Sequence, residues 1–217
     1  MSPHCRPAWR RLFLRAARTD VFVGAILATR RRFARWAEAT GEHGMAERTP
    51  ERLTWAVGRL GLSGDEAILE IGCGRGVAVS LACPLLNGGT ITGIDRSATA
   101  IKAATERNAA LVAAGKAIFR QAAIETFDGE AGPFETIFAV NVNLFWLDAK
   151  RGLEAVRRLL AGNGRLFLFY EAPSPGQRAK IAEILPEKLA AGGFEVLETE
   201  APDRSSLLAV VARVGGR

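Results

Sequence analysis

A glycine-rich segment in the first half of the sequence has residues suited to holding a ligand through the main chain. Residues 70–76 read Glu-Ile-Gly-Cys-Gly-Arg-Gly and overlap the end of the short apolar run 67–71. Glycine adopts positive φ angles at little cost and lets a ligand approach the backbone closely. In a doubly wound α/β sheet, ligands bind beyond the carboxyl ends of the strands. The segment is therefore a candidate cofactor loop.

The spacing of the loop separates it from two other nucleotide-binding motifs. A dinucleotide fingerprint requires G-x-G-x-x-G, and here Val77 occupies the position of the third glycine. A P-loop requires Gly-Lys followed by Ser or Thr, which the segment lacks. A nicotinamide cofactor, and with it an NAD-dependent reductase, is therefore the weaker alternative.

A second anchor for a cofactor is Asp95, which ends the next apolar run, 90–94, 19 residues after Gly76. A carboxylate at a strand end can accept charge-assisted hydrogen bonds from both hydroxyls of a ribose. Loop and carboxylate, in consecutive βαβ units, together indicate a nucleoside site. The alternative is a tight strand-to-helix turn followed by a solvated aspartate.

Strand and helix patterns alternate along the rest of the chain, which predicts a mainly parallel sheet. Helix starts are predicted at four N-caps, Thr49, Ser97, Asp148 and Ser174. The last two strands have no helix between them and should form an antiparallel hairpin. The predicted fold class is α/β, a doubly wound, mainly parallel seven-stranded sheet with an antiparallel C-terminal hairpin and N-terminal helices. The strands are predicted at residues 67–71, 90–94, 117–124, 134–142, 165–170, 194–200 and 207–214.

Two asparagines lie at the end of the fourth predicted strand, where the floor of an active site is expected. We expect Asn141 to contact the cofactor and Asn143 to orient a substrate by hydrogen bonds. The alternative is that both terminate the strand and cap backbone groups. The nearby Trp146 could stack on an apolar substrate or pack on the core.

No residue pattern identifies a catalytic acid or base. The candidates are Tyr170 and Glu171, at the end of the fifth predicted strand, and His43, in the loop before the domain. The hydroxyl of Tyr170 is also a candidate substrate contact. A solvated loop histidine is the simpler interpretation of His43.

The composition argues against metal binding, disulfides and membrane insertion. Three cysteines and two histidines form neither a zinc-ligand pattern nor a disulfide framework, so no metal is predicted and a reducing, cytoplasmic location is expected. No apolar run approaches the roughly 18 residues of a membrane span, and no secretory signal is recognisable.

The positive charge is concentrated in an N-terminal extension, predicted at residues 1–48, ahead of a catalytic domain at 49–217. Residues 1–35 hold nine arginines and one aspartate, a net +8, whereas the whole chain nets +6, so the remainder nets −2. Nucleic acid is therefore not an expected partner of the domain. The extension could be a helical lid over the pocket, a peripheral membrane contact through residues 1–35, an RNA contact, or an organellar targeting segment.

Three segments resemble motifs of the class I S-adenosylmethionine-dependent methyltransferases. Residues 68–76 resemble their first motif, and residues 93–97 (Gly-Ile-Asp-Arg-Ser) resemble their second. Residues 162–166 (Gly-Asn-Gly-Arg-Leu) resemble the turn before their fifth strand. The resemblance covers residues 50–214 and implies a Rossmann-like methyltransferase fold with S-adenosyl-L-methionine as the cofactor.

The resemblance also implies roles for single residues. Glu70 would face the ammonium of the methionine moiety, Asp95 would hold the ribose, and Arg96 would flank the adenine. Many family members carry an acid near the position of Ala123, so Glu125 would replace it or backbone groups alone would contact the adenine. The predicted cofactor contacts are Glu70, Ile71, Gly72, Cys73, Gly74, Asp95, Arg96, Ala123, Ile124 and Asn141.

The function predicted from these motifs is methyl transfer to a small-molecule acceptor, with Asn143, Trp146 and Tyr170 as substrate contacts. The end of the fourth strand lacks the Pro-Pro-aromatic pattern of members that methylate DNA bases or protein glutamine. Two alternatives stay open. One is methylation of lipid head groups at a membrane surface, and the other is a non-catalytic methyltransferase-like binding module. The oligomeric state is not predicted.

Overall fold

The computed structural model describes residues 49–129 and 132–216, together with residues 24, 27–29, 31, 32 and 35. Its strands are β1 (Ala67–Ile71), β2 (Thr90–Asp95), β3 (Ala117–Gln121), β4 (Phe134–Val140), β5 (Leu160–Glu171), β6 (Phe194–Glu200) and β7 (Leu207–Val214). They form one sheet in the order β3-β2-β1-β4-β5-β7-β6.

Helices connect the strands on both faces of the sheet. They are α1 (Glu51–Val57), α2 (Val77–Ala82), α3 (Ala98–Arg107), α4 (Ala109–Ala113), α5 (Leu144–Leu147), α6 (Lys150–Leu159) and α7 (Pro175–Ala191), with a 3-10 turn at Cys83–Leu85. Of these described helices, none is long and apolar enough to cross a membrane.

The predicted sheet is confirmed. Strands β1 to β5 pair in parallel, and β7 runs antiparallel to both β5 and β6. The chain moves outward from β1 to β3 and then returns to place β4 on the other side of β1. This reversal opens a crevice at the carboxyl ends of β1 and β4, where ligands bind in folds of this kind.

Two apolar layers enclose the sheet because successive strand side chains point to opposite faces. Along β1, Leu69 packs into one core with Ile94 and Leu166. Ile68 packs into the other core, with Phe138 and further phenylalanines of β5. A strand buried on both faces is predicted to be nearly all apolar, which makes the buried Glu70 of β1 an exception.

Two strands end earlier than predicted. Strand β3 stops at Gln121, three residues short, and β4 stops at Val140, two residues short. Strand β4 ends because Asn141 adopts a φ of 57°, a left-handed conformation that cannot continue a strand. Asparagine tolerates this conformation better than most residues. The segment that follows therefore turns towards the crevice.

The capping predictions were half right. Ser97 and Ser174 accept hydrogen bonds from the N–H groups three residues on, at 3.2 Å each. The predictions of Thr49 and Asp148 as N-caps were wrong. Helix α1 is capped by Pro50 without a side-chain bond, and α6 begins after Ala149, because Asp148 instead ends the unpredicted one-turn helix α5.

The chain after Ser97 forms two helices, α3 and α4, that meet at Asn108, whose side chain is buried and hydrogen-bonded. Its Nδ2 donates to the carbonyls of Ala104 (2.9 Å) and Gly76 (3.1 Å), and its Oδ1 accepts from the hydroxyl of Ser80 (2.7 Å). Asparagine competes with the helix backbone in this way. The residue thereby joins α3 to the start of α2, directly behind the glycine loop.

The described residues of the N-terminal extension are helical and contact the loop before β1. The hydroxyl of Thr29 donates to the carbonyl of Leu62 at 3.3 Å, and Arg32 donates to the carbonyls of Leu62 and Ser63. His43 lies outside the described residues, so its catalytic candidacy and the domain boundary at residue 48 stay predictions.

Candidate active site

A cavity of about 600 Å³ runs across the carboxyl ends of β3, β2, β1 and β4. This volume falls in the range of roughly 300–1,000 Å³ that is typical of small-molecule sites. Its wall consists of the last residues of these strands and the residues that follow them: Ile71, Gly72, Ile94, Asp95, Arg96, Ala122, Ala123, Ile124, Glu125, Val140, Asn141, Val142, Asn143, Leu144, Leu147 and Asp148.

The glycine loop is held against β2 and requires its glycines. The N–H groups of Gly72 and Cys73 both donate to the carbonyl of Ile94, at 2.8 and 2.9 Å. Gly72 has a φ of 71°, and a Cβ atom there would lie 2.7 Å from Cγ2 of Val142. Gly74, at φ 52°, has open space beside it. The loop therefore leaves room for a ligand next to its backbone.

Asp95 lies in the cavity wall with its carboxylate fixed at the end of β2. Its Oδ2 accepts from the N–H of Gly74 at 3.0 Å, and its Oδ1 accepts from the N–H of Ser97 at 2.9 Å. Each carboxylate oxygen can accept a second hydrogen bond. The geometry thus leaves Asp95 able to accept from two neighbouring hydroxyls, as the motif implies.

Glu70 is the most unusual charged group near the cavity. Its side chain is buried, and Oε2 has no hydrogen-bond partner among the described residues. Burial, with a further contribution from the charge of Asp95, raises the pKa of Glu70 to about 8. Glu70 does not itself line the cavity but precedes Ile71, which does. An unsatisfied buried carboxylate at this position fits a cationic ligand group such as an ammonium.

Cys73 and Gly74 are cofactor contacts predicted by the motif that do not line the cavity. Cys73 faces the core beside Gly93, where an added Cβ would lie 3.0 Å from its Sγ. Burial raises the pKa of the Cys73 thiol far above its ordinary value. Cys73 is therefore a space-filling residue beneath the loop and not a nucleophile.

The segment after β3 forms the opposite wall of the cavity. Ala123 and Ile124, which the resemblance implies as adenine contacts, line it together with Ala122 and Glu125. The N–H of Ala122 donates to the carbonyl of Asp95 at 3.0 Å, which ties this wall to β2. Arg96 lines the rim with an exposed side chain.

Both asparagines after β4 line the cavity, and each carboxamide oxygen is held by a protein donor. Asn141 Oδ1 accepts from the N–H of Glu171 at 2.7 Å, and its own N–H donates to the carbonyl of Phe169 at 2.8 Å. Asn143 Oδ1 accepts from Nε1 of Trp146 at 3.2 Å. The end of β4 is thereby pinned to the end of β5.

The structure places the other candidates outside the cavity. Tyr170 is buried in the core, its hydroxyl donates to the carbonyl of Val142 at 3.1 Å, and burial raises its pKa. Glu171 pairs with Arg52 at 3.0 Å. Trp146 packs against the core with its indole N–H on Asn143. These positions support none of the three as a direct substrate contact or base.

Sequence reasoning placed the active-site floor at the end of the fourth strand and the residues up to Trp146, but it missed Leu147 and Asp148. Leu144, Leu147 and Asp148 line the cavity, and Leu147 is 59% exposed despite its apolar side chain. The signal was available, because a run of apolar residues directly after an expected active-site strand can form a pocket wall. Within the described ranges, no three His, Cys, Asp or Glu side chains are placed to hold a metal ion.

Comparison with known proteins agrees with this geometry. Residues 69–166 match the family described as Methyltransferase domain. The O-methyltransferase resE of Aspergillus sclerotiorum is 30% identical over 198 residues, covering 83% of this chain and 72% of the relative. The uncharacterized methyltransferase YdaC of Bacillus subtilis is 25% identical over 162 residues, covering 73% of this chain and 87% of the relative.

A similar fold occurs in a solved SAM-dependent methyltransferase from Aquifex aeolicus. The two share 14% identity with a TM-score of 0.63, over 75% of this chain and 89% of the other. Sheet order, glycine loop and relatives lead to one conclusion. The chain belongs to the class I S-adenosylmethionine-dependent methyltransferase family, and it is a methyltransferase.

Proposed function

We propose that this methyltransferase uses S-adenosyl-L-methionine to methylate a small-molecule acceptor within the cavity across β1 to β4. One observation carries the proposal. The wall of a single cavity holds the fixed carboxylate of Asp95 and the tight turn at Gly72. The buried Glu70, whose Oε2 has no hydrogen-bond partner among the described residues, directly precedes the wall residue Ile71.

The chain's own residues would hold each part of the cofactor. Asp95 would accept from the ribose hydroxyls, and Glu70 would balance the charge of the ammonium. Backbone groups of Ala123 and Ile124 would contact the adenine edge, with Glu125 within the same wall. When bound, the cofactor supplies a methyl group already activated on a sulfonium. The fixed carboxylate and the unpartnered one therefore match two polar ends of this molecule.

The protein's part in the chemistry is mainly to position the two reactants. Holding an acceptor in near-attack geometry can remove several kcal/mol from a barrier. A base is required only where the acceptor atom carries a proton. The cavity wall has apolar residues on the side of β4, namely Val142, Leu144 and Leu147, which would exclude water from the acceptor.

Two further features support a small-molecule acceptor. The cavity has the volume of a small-molecule site, and one relative is named an O-methyltransferase. Methylation of lipid head groups, the alternative, depends on residues 1–35, most of which lie outside the described residues.

The proposal is tested by calorimetric titration of the full-length protein with S-adenosylhomocysteine, with NADH as the control. We expect S-adenosylhomocysteine, and not NADH, to bind one-to-one with a Kd in the micromolar range, which corresponds to a binding free energy of about −8 kcal/mol. Binding of NADH in its place, or no binding of either, would refute the cofactor assignment.

A further inference from the structure

The cavity wall at β4 and α5 is more apolar than the wall at β1, β2 and β3, where the cofactor is proposed to bind. Leu144 and Leu147 give it an apolar surface, and Leu147 is one of only two large hydrophobic side chains that the described part of the chain exposes. An apolar side chain exposed at the mouth of a cavity is suited to an apolar ligand. The occupant of this half should therefore have an apolar body.

Asn143 provides this wall with a hydrogen-bond donor. Its Oδ1 accepts from the indole N–H of Trp146 at 3.2 Å, which fixes the orientation of the carboxamide. With the oxygen committed to Trp146, the NH₂ group is the end left for a ligand. Asn143 can therefore donate a hydrogen bond to an acceptor atom on the bound molecule.

Asp148 provides the same wall with an acceptor. Its side chain is exposed and lines the cavity, and within the described residues its carboxylate makes no hydrogen bond or ion pair. In contrast, Asp95 accepts from two backbone N–H groups and Glu171 pairs with Arg52. An ionised carboxylate can only accept. Asp148 can therefore accept a hydrogen bond from a donor on the bound molecule.

We propose that the methyl acceptor is a neutral, mainly apolar molecule that carries a hydroxyl group. The inference rests on the proposed function and specifies its substrate class. A hydroxyl can both donate to Asp148 and accept from Asn143. A carboxylate would meet the like charge of Asp148, and an ammonium would leave Asn143 without an acceptor.

The transfer step balances with these residues and the methyl group that bound S-adenosylmethionine would supply. The acceptor oxygen forms a bond to the methyl carbon as the carbon–sulfur bond breaks, and the electron pair of that bond stays on sulfur. The hydroxyl proton passes to the carboxylate of Asp148 and from there to solvent. In this role Asp148 both binds the acceptor and receives its proton.

The test uses the full-length protein saturated with S-adenosylhomocysteine and three naphthalene probes, namely 2-naphthol, 2-naphthylmethylammonium and 2-naphthoate. Their apolar bodies are the same, and only the polar group differs. We expect calorimetry to show that 2-naphthol binds about tenfold more tightly than 2-naphthoate, the effect of one hydrogen bond to a charged group. The ammonium probe can pair with Asp148 but has no lone pair, so it cannot accept from Asn143 and should not be methylated. With labelled S-adenosylmethionine, 2-naphthol should become the methyl ether.

Three variants separate the two polar contacts from the apolar one. Asp148→Asn should shift the preference towards 2-naphthoate by about tenfold and lower the rate of ether formation, at unchanged S-adenosylhomocysteine affinity. Asn143→Asp keeps the oxygen that Trp146 needs and should shift the preference towards the ammonium. Leu147→Asn should weaken all three probes alike. Glu154→Gln, an exposed carboxylate of α6 outside the cavity wall, is the control and should change nothing.

Two results overturn the substrate class while leaving the proposed function intact. One is that wild-type protein with bound S-adenosylhomocysteine binds 2-naphthoate as tightly as 2-naphthol, or binds no probe. The other is that Asp148→Asn leaves the order of the probes unchanged. Failure to bind S-adenosylhomocysteine would instead overturn the proposed function itself.

Discussion

The two halves of the cavity are built by different means. At β1, β2 and β3, the wall includes the tight turn at Gly72, and the carboxylate of Asp95 is fixed by the backbone N–H groups of Gly74 and Ser97. At β4 and α5, the wall depends on side chains tied to distant segments, such as Asn141 to Glu171. We call the first the cofactor half and the second the acceptor half, after the roles proposed for them.

Asp95→Ala should give the largest effect, confined to the cofactor half. It removes the acceptor of two ribose hydrogen bonds, each worth about 1.5–3 kcal/mol when charged, so S-adenosylhomocysteine affinity should fall by about a thousandfold. Calorimetry measures the affinity and circular dichroism the fold. Asp203→Ala, an exposed aspartate in the turn before β7, is the control. Equal affinity in both variants would contradict the ribose assignment.

Glu70→Gln should make the folded protein more stable than wild type at high pH but weaken its binding of S-adenosylhomocysteine. Burial raises the pKa of Glu70 from 4.5 to about 8, so its contribution favours the folded state at low pH and is lost as pH rises through about 8. Without cofactor, wild-type protein should lose about 3 kcal/mol of stability between pH 6 and 9 relative to Glu70→Gln.

The same variant should bind S-adenosylhomocysteine more weakly than wild type, because the neutral amide cannot balance an ammonium. Urea unfolding across the pH range, combined with titration at pH 8.5, measures both effects. A parallel pH dependence in the two proteins would show that Glu70 is not the buried titrating group.

Tyr170→Phe tests whether the Tyr170 hydroxyl only supports the cavity wall at β4 or takes part in the reaction. The change removes the hydrogen bond to the carbonyl of Val142, so we expect about 1 kcal/mol less stability. Methyl transfer should persist, because the hydroxyl lies outside the cavity wall. Loss of activity with unchanged stability would return Tyr170 to the catalytic candidates.

Arg52→Gln should give the smallest effect. Its ion pair with Glu171 is partly exposed, and such pairs contribute about 0–1 kcal/mol. Thermal unfolding of the two single variants and the double variant, Arg52→Gln with Glu171→Gln, measures the coupling. Full activity of Glu171→Gln would agree with its structural role, whereas a strongly pH-dependent loss would support it as a base.

The cofactor half was predictable because its signals are local in the sequence. The order of strands and the positions of Gly72 and Asp95 follow from consecutive βαβ units, and the structure bears out the fold. The buried environment of Glu70 was not predictable. Its partners across the strands, Gly93 and Phe138, come from two other segments of the chain.

The acceptor half was predicted less well for two reasons. Its path depends on the backbone φ angle of Asn141, and its candidate Tyr170 lies on the inward face of β5. Asparagine tolerates the left-handed conformation but does not require it, so the sequence alone did not show that Asn141 ends β4 early and leads into α5. Tyr170 could have been placed correctly. It alternates with Leu166 and Leu168 along β5, and side chains two apart share a face, which here is the core.

A crystal structure of the protein with S-adenosylhomocysteine tests the assignment of the cofactor half most directly. We expect both ribose hydroxyls within hydrogen-bond distance of the Asp95 carboxylate and the ammonium on the side of Glu70. The nucleoside should lie between the walls formed by Gly72 and Ala123. A nucleoside bound elsewhere, or with its ribose away from Asp95, would contradict the assignment.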